Sequence, residues 1–565
     1  MPGLRRRLWL WGVFALVGTL ALGLLVTAPP GPQTLHVNPF TIAAPALARG
    51  AIHIHTTRSD GSGTVDEVAA AAARAGLQFV VFTDHGDGTR PPLAPAYRAG
   101  VLCLDGVEIS VDGGHYVALG LGQTPYRLAG APADVIADVR RMGGFGFAAH
   151  PDSSKAALAW RDWTAPFDGL EWFNLDSEWR DDGTATLAMA ALHYSLRPVA
   201  ALGSLAGGQP ALLQRWADLA RTRRVVGIAG VDAHARMGTE GDRAWMNLQL
   251  PGYQALLSTA QVSVELSAPL SGDAGRDAAT ILGALREGRS FSTITARAPA
   301  GRLAFEATRG DLKARMGQFL GGSGPIDLQV EGDAPAGWPI RIVCDGKTIT
   351  QTLPSSTFHW RLDAGETGHA CQAIAGRAGP TEAAFVTWAV TNPIYFRAAD
   401  AVSPSAAAPT IARSSPLGAQ ASWGVEHSPG SEASVAPSGA TGVTLAYALA
   451  PGDRVSQYAA LVTPDVGGID GFQWMKATLS ADAPMRVSLQ LRTPDGHRWQ
   501  RSLVVGREVT TQLVPVAAFA PVDGAPPLVP DHVRGILVVV DTVNTPPGRR
   551  GTVTLHELRA EIGVP

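Results

Sequence analysis

Between His53 and His234 the chain sets metal-ligating residue types beside one short apolar run after another: His53 and His55 in HIH, Asp60 in SDG, His85 in TDH, Glu108 in GVE, His115 in GGH, His150 in AHP, and Asp232 with His234 in DAH. Taken singly, each motif is ordinary. An HxH on a strand is more often two surface or core histidines than a metal site, an SDG reads as a turn, and Glu108 alone reads as a solvated carboxylate. Their combination carries more weight. Seven histidines lie from His53 through His234, and only His193, in a helical stretch that suits a structural role, falls outside these motifs. Imidazole nitrogens mixed with carboxylate oxygens suit Zn, Mn or Fe better than Mg. The chemistry that clustered divalent ions serve is hydrolysis of an ester that resists attack, above all a phosphate mono- or diester. Bound cations neutralise phosphate charge and lower the pKa of water from about 15.7 to about 7, making hydroxide available, and a pair about 3.5 to 4 Å apart stabilises the attacking and leaving oxygens together. Glu108, with two oxygens, is the natural bridge between such ions.

Residues so far apart in sequence meet only if the fold brings strand ends together. From about residue 49 to 300 short apolar runs alternate with amphipathic stretches, the pattern of βα units. Strands are expected at Ala51–His55, Phe79–Thr83, Val101–Val107, Tyr116–Leu121, Phe145–Ala149, Leu170–Phe173 and Val225–Val231. Most of the candidate ligands fall at the C-terminal ends of these runs, where a barrel of parallel strands presents side chains to one pocket. His53 with His55, and later Asp232 with His234, have the spacing that puts both side chains on one face of a strand. His115 instead opens a strand. One helix is well signalled: Thr64 caps it, Glu67 three residues on completes a capping box, and Gly76 follows its last turn. Another helix is expected over Ala278–Glu287.

The ordered set HIHTTRSDG, FTDH, GVEIS, GGHYVALG, AAHPD, GLEWFN and GVDAH resembles the PHP (polymerase and histidinol phosphatase) family of metal-dependent phosphoesterases over about residues 49 to 296. The resemblance implies an α/β fold, a distorted seven-stranded (β/α) barrel. It also implies a ligand set. His53, His55, Glu108 and Asp232 would hold one ion; Glu108 would bridge to a second bound by His115 and His150; Asp60, His85 and His234 would hold a third. Asp60 stands where some members have histidine. Two or three ions, Zn or Mn with Fe as the alternative, are the cofactors so implied.

Arg58 and Arg236 flank the ligand loops and could pair with substrate phosphate, since guanidinium matches phosphate oxygens in a bidentate way; solvated surface arginine is the competing reading. Lys155 is a third such cation. Glu171 and Asn174, in GLEWFN, are expected to orient ligands, with substrate contact a further role for Asn174.

The 565 residues allow two to four domains at roughly 100 to 200 residues each. Apolar residues at 46% and charged ones at 17% exclude a disordered chain, and a net charge of −3 implies no broad cationic face for polyanions. Arg5, Arg6 and Arg7 precede the uncharged stretch Leu8 to Ala28, long enough to cross about 30 Å of hydrocarbon as a helix. By the positive-inside rule everything after Ala28 lies beyond the inner membrane, in the periplasm or outside the cell. A cleaved signal peptide, releasing a secreted protein, is the other reading.

A linker is expected over residues 29–48, the barrel over 49–300 and a small β-sandwich over 301–397. A second linker follows over 398–421, rich in Pro, Ser and Ala, then a β domain over 422–565 that resembles jelly-roll, galactose-binding-like modules. In that last domain Trp423, Trp474 and Trp499 could stack on a glycan, although tryptophans on strands are more often core. Cys344 and Cys371 could pair in an oxidising compartment or stay reduced in a core, and Cys103 reads as buried.

The leading expectation is therefore a membrane-tethered phosphoesterase acting on phosphorylated small molecules, nucleotides or, exonuclease-like, short oligonucleotides. Two alternatives use the same residues differently: an amidohydrolase-like enzyme, which would lack the extra Asp60, His85 and His234 set, and a non-catalytic envelope protein that binds glycan.

Overall fold

In the computed structural model the described residues are 2–37, 40–42, 45–207, 210–236, 250–345, 347–352, 357–362, 369–379, 385–396, 410–452, 457–463, 465–522 and 524–564. The first long element is the apolar helix α1, Pro2–Thr27, whose Trp9–Thr27 portion is long and apolar enough to cross a membrane or to act as a signal sequence.

Alternating apolar runs then give ten strands: β1 (Ala46–Ile54), β2 (Phe79–Phe82), β3 (Ala96–Arg98), β4 (Val101–Val111), β5 (Gly114–Leu119), β6 (Phe145–Ala149), β7 (Gly169–Asn174), β8 (Val226–Ala233), β9 (Gln261–Leu266) and β10 (Ser290–Thr293). Among them run helices α2 (Val65–Arg74), α3 (Pro132–Arg141), α4 (Leu175–Glu178), α5 (Thr184–Tyr194), α6 (Pro198–Leu205), α7 (Pro210–Ala220), α8 (Tyr253–Leu257) and α9 (Ala274–Glu287). The helix anticipated after Thr64 is α2, and both hydrogen bonds of its capping box form. The second expected helix is α9, which begins earlier than anticipated, behind the N-cap Asp273.

Seven strands, in the order β1-β2-β4-β5-β6-β7-β8, close into a barrel when β8 returns to β1 through the pairs Ile52↔Gly230 and Ile54↔Ala233. The barrel is mixed rather than a uniform (β/α) barrel. β5 runs antiparallel to both β4 and β6, while the other five junctions are parallel. The cause is local. Val111 pairs with Gly114, so only Asp112 and Gly113 connect β4 to β5, and Gly113 has φ 79°. A two-residue Asp-Gly loop joins antiparallel neighbours; a parallel crossover needs a dozen residues or more. Because β5 is reversed, its first residues lie at the same end of the barrel as the last residues of its neighbours, and His115 comes opposite Ala149 at the end of β6. Ile52, Phe79, Val81, Leu104, Val117, Phe147 and Ile228 form one buried cluster with Ala278, Ile281 and Leu285 of α9. Each large side chain fully buried there contributes roughly 1.5 to 3 kcal/mol.

The sheet does not stop where the barrel closes. β9 pairs with β1, β10 with β9, and β10 with a strand far downstream, Phe291 facing Thr391. The downstream strands are β11 (Leu303–Arg309), β12 (Leu312–Arg315), β13 (Ile326–Gly332), β14 (Pro339–Cys344), β15 (Lys347–Thr352), β16 (Thr357–Leu362), β17 (Ala370–Arg377) and β18 (Val386–Thr391). The sheet β12-β11-β13-β16 packs over β14 and β17 through Phe305, Leu328, Val330, Ile342 and Ala373, a sandwich core. Its second sheet is hydrogen-bonded to the barrel's, so the boundary expected at residue 300 falls inside a continuous sheet. Cys344 and Cys371, opposite one another on β14 and β17, form a disulfide, and Cys103 is buried and free.

A second compact unit comprises residues 403–565 together with 87–90 and 123–135. It holds two six-stranded sheets whose strands pair antiparallel over a shared core containing Met475, Leu489, Val538 and Leu555. The expected second linker lies partly outside the described residues. Its remainder includes the strand Thr410–Pro416, paired with Arg550–Val564. Trp423 and Trp499 are buried in this core and only Trp474 is half-buried, so two of the three tryptophans considered for sugar stacking are packing residues.

Candidate metal centre

β1 delivers the first pair of histidines through a bulge. Its register with β2 and β8 shifts between Ile52 and Ile54, and His53 has φ 69°, a left-handed conformation that side chains other than glycine rarely adopt. The even strand spacing expected of His53 and His55 is therefore broken, yet the bulge aims both imidazoles at one place. Asp232, near the end of β8, has φ 50°, and His150, just past β6, has φ 30°. Three non-glycine residues held left-handed cost on the order of 1 to 3 kcal/mol each and cluster at functional sites. His234 lies beyond the end of β8 rather than on it.

Nine residues converge. The Nε2 atoms of His53 and His55 lie 3.2 and 3.1 Å from Glu108 Oε2, and 3.3 and 3.2 Å from Asp232 Oδ1. Glu108 turns its other oxygen to His115 Nδ1 at 2.7 Å and His150 Nε2 at 2.9 Å. Oε2 also faces His85 Nδ1 at 3.2 Å. Towards solvent, Asp60 Oδ2 stands 3.2 Å from His234 Nε2 and 3.6 Å from His85 Nε2. His53, His55, Glu108 and Asp232 form one group able to hold a cation, His85, Glu108 and His115 a second, and His55, Asp60, His85 and His234 a third.

The donor atoms fit a divalent ion. His53 Nε2, His55 Nε2 and Asp232 Oδ1 are buried without a hydrogen-bond partner. Leaving such atoms unsatisfied costs about 1 to 3 kcal/mol apiece, which a coordinated cation would recover. Their separations of 3.1 to 3.3 Å are those of ligands about 2.0 to 2.1 Å from a shared tetrahedral centre.

Surrounding residues fix the ligands. Glu171 Oε1 lies 2.6 Å from His53 Nδ1, a contact that in the neutral ring would place the proton on that nitrogen and leave Nε2 its lone pair; Oε2 accepts the His150 backbone N–H at 2.7 Å. Asn174 donates to Glu171 at 2.8 Å and caps α4 by accepting from the Ser177 N–H at 3.0 Å. Asn174 is buried, with its amide engaged at both ends by these contacts. Glycine at 230 makes room for this arrangement: a Cβ there would lie 1.9 Å from Glu171 Oε1. The His150 Nδ1 atom lies 3.1 Å from the Leu158 carbonyl oxygen.

Two partners were not singled out from sequence. Asp84 accepts from the Thr56 N–H and hydroxyl and from the Ser59 hydroxyl at 2.7, 2.8 and 2.7 Å, holding the loop between the first two histidines and Asp60. Its place in TDH was the available signal. Tyr253, on α8, has its hydroxyl 2.8 Å from the His55 carbonyl oxygen and 3.1 Å from that of His234. A lone tyrosine in a short helix gives no sequence signal at all. Of the candidate phosphate-binding cations, Arg58 is half-buried and donates to Asp105 at 2.7 Å, while Arg236 and Lys155 are exposed.

Electrostatics follow from this crowding. Burial opposes charge on His150 and His234, but Glu108 beside the first and Asp60 beside the second outweigh it and raise both to about 9. His53 is likewise raised, burial being overcome by Asp232, Glu171 and Glu108. Against its own burial, Glu108 is held well below the carboxylate range by His53, His115 and His150.

No family model matches the sequence, and no curated protein matches it. Among solved structures, similarity extends to a two-domain protein containing a predicted PHP-like metal-dependent phosphoesterase from Bacteroides vulgatus, at 13% identity over 64% of this chain and 99% of that one, with a TM-score of 0.30. It also extends to a family 11 carbohydrate-binding module from Clostridium thermocellum in complex with a mixed-linked tetrasaccharide, at 15% identity over 27% of this chain and 96% of that one, TM-score 0.22. A family 29 carbohydrate-binding module is similar at 11% identity over 27% of this chain and 92% of that one, TM-score 0.19.

Proposed function

We propose that the chain is a membrane-anchored, metal-dependent phosphoesterase that hydrolyses phosphate mono- or diesters on the far side of the inner membrane, with Zn or Mn as its cations. The observation that carries this reading is Glu108: one carboxylate, fully inside the protein, with one oxygen turned to His53, His55 and His85 and the other to His115 and His150. A structural site would close around a single ion, whereas a carboxylate shared between ligand sets suits a pair. When bound, divalent cations here supply charge neutralisation for phosphate and a water of lowered pKa. The protein's own residues do the rest. His53, His55, Glu108 and Asp232 hold the inner position; His115 and His150 hold its neighbour; Asp60, His85 and His234, half-exposed, form the entrance. Glu171 and Asn174 keep the ligands oriented, and Arg236, exposed two residues past His234, is available to pair with substrate phosphate.

The full chain, purified and supplied with Zn or Mn, is expected to hydrolyse phosphate mono- or diesters in preference to amides. His150→Ala and chelation should each abolish turnover. Turnover that survives both, or cleavage of amides alone, would contradict the proposal.

A further inference from the structure

The excursion between β7 and β8 carries a surface that the metal centre does not explain. From Gly183 to Gly207 the only charged residue is Arg197. Such a composition belongs in a core, yet the segment is on the outside. Of the eleven residues of α5 only Ala190 and His193 are buried. Met189, Leu192 and Leu196 are 40, 51 and 45% exposed, and Trp179, just before the hairpin, is 39% exposed. A helix that is apolar nearly all round and still uncovered faces something other than water.

What it faces is indicated by α1. The Thr27 hydroxyl, at the end of the membrane-type helix, lies 3.1 Å from His193 Nε2 of α5, and Arg197 donates to the Pro29 carbonyl at 3.0 Å. The apolar hairpin of α5 and α6 therefore sits where α1 would emerge from the bilayer. Residues there lie at the depth of lipid headgroups, where tryptophan and apolar side chains settle with one face in the acyl boundary. The same hairpin is tied to the metal centre. Tyr194 of α5 accepts the Gly252 N–H at 2.8 Å, and the next residue, Tyr253, touches the His55 and His234 carbonyls. At its start the excursion springs from Asn174, which braces Glu171.

We propose that α5 and α6 form an interfacial surface that rests on the membrane beside the anchor. The ester reached by the metal centre is then one displayed at the bilayer surface, such as a phospholipid headgroup phosphate. The first statement rests on the anchor and hairpin alone; the second also rests on the phosphoesterase reading.

The test uses the full chain reconstituted in vesicles of phosphatidylethanolamine and phosphatidylglycerol. An environment-sensitive fluorophore on Leu192→Cys is expected to shift to the blue and to be quenched about twofold or more by nitroxide lipids, while the same label on Leu312→Cys, on β12 and also exposed, is not. Equal quenching at the two positions, or none at Leu192, overturns the surface. In parallel, Met189→Glu, Leu192→Glu and Leu196→Glu combined should lower turnover of phosphatidylglycerol, or of phosphatidic acid added to the vesicles, about tenfold and leave soluble nitrophenyl phosphates unaffected. Equal loss on both, or on neither, overturns the substrate class. Quenching at Leu192 in a chain that hydrolyses no phosphate ester would instead reject the phosphoesterase reading and leave the surface standing.

Discussion

At the scale of single residues the account turns on orientation as much as on ligand identity. Glu171 touches no proposed ion, yet it contacts His53 Nδ1 and accepts the backbone N–H of His150. Loss of such an orienting partner costs about 10- to 100-fold in metal affinity. Glu171→Gln is therefore expected to weaken metal binding by that factor with the fold retained, as read by competition against a chelator; unchanged affinity would show that Glu171 is only a packing residue. A pH dependence follows from the raised histidines. Without a cation, His150 and His234 keep their protons up to about pH 9, and a ligand must be neutral to bind. Binding near pH 7 then releases protons, and affinity rises with pH until about 9 and falls as the solution is acidified. Calorimetry in buffers of different ionisation enthalpy would detect this release, and affinity flat from pH 6 to 9 would speak against it. The nine residues that converge here were all named from the sequence, because histidines and carboxylates beside apolar runs stand out by type. Asp84 and Tyr253 were not, because they act through hydrogen bonds that pattern does not encode.

At the scale of elements the site depends on irregular strands. The bulge at His53, the left-handed Asp232 and the space at Gly230 all lie where β1 and β8 meet. Gly230→Ala would drive a methyl group into Glu171, and the expected outcome is lost metal with a largely intact barrel, measured as metal content alongside circular dichroism. Full metal content in that variant would mean that Glu171 moves without consequence. The apolar periodicity located all seven barrel strands and α2, with β2, β6 and β7 within a residue at each end, but β1 begins five residues before the expected run and β4 ends four residues after it. It could not show the bulge, since a register shift arises from pairing and not from one strand's own pattern. The reversal of β5 was in principle readable from Asp112-Gly113, a hairpin signature inside a run otherwise read as parallel.

At the scale of the whole molecule, scattered motifs become one centre because seven strands close on themselves and β5 turns back to bring His115 to the same end as His150. The membrane-type helix was evident from composition, as were the β-rich regions downstream. Their merging into the barrel's sheet through β10 and β18 was not, because pairing between strands about a hundred residues apart leaves no local trace. The central claim is that these side chains grip several cations around one carboxylate. Its most direct test is the metal content of the full chain, purified without chelator, beside that of Glu108→Ala. About two to three equivalents are expected in the unaltered protein and no more than about one in the variant. A chain that holds no metal, or a variant that keeps all of it, would contradict the account.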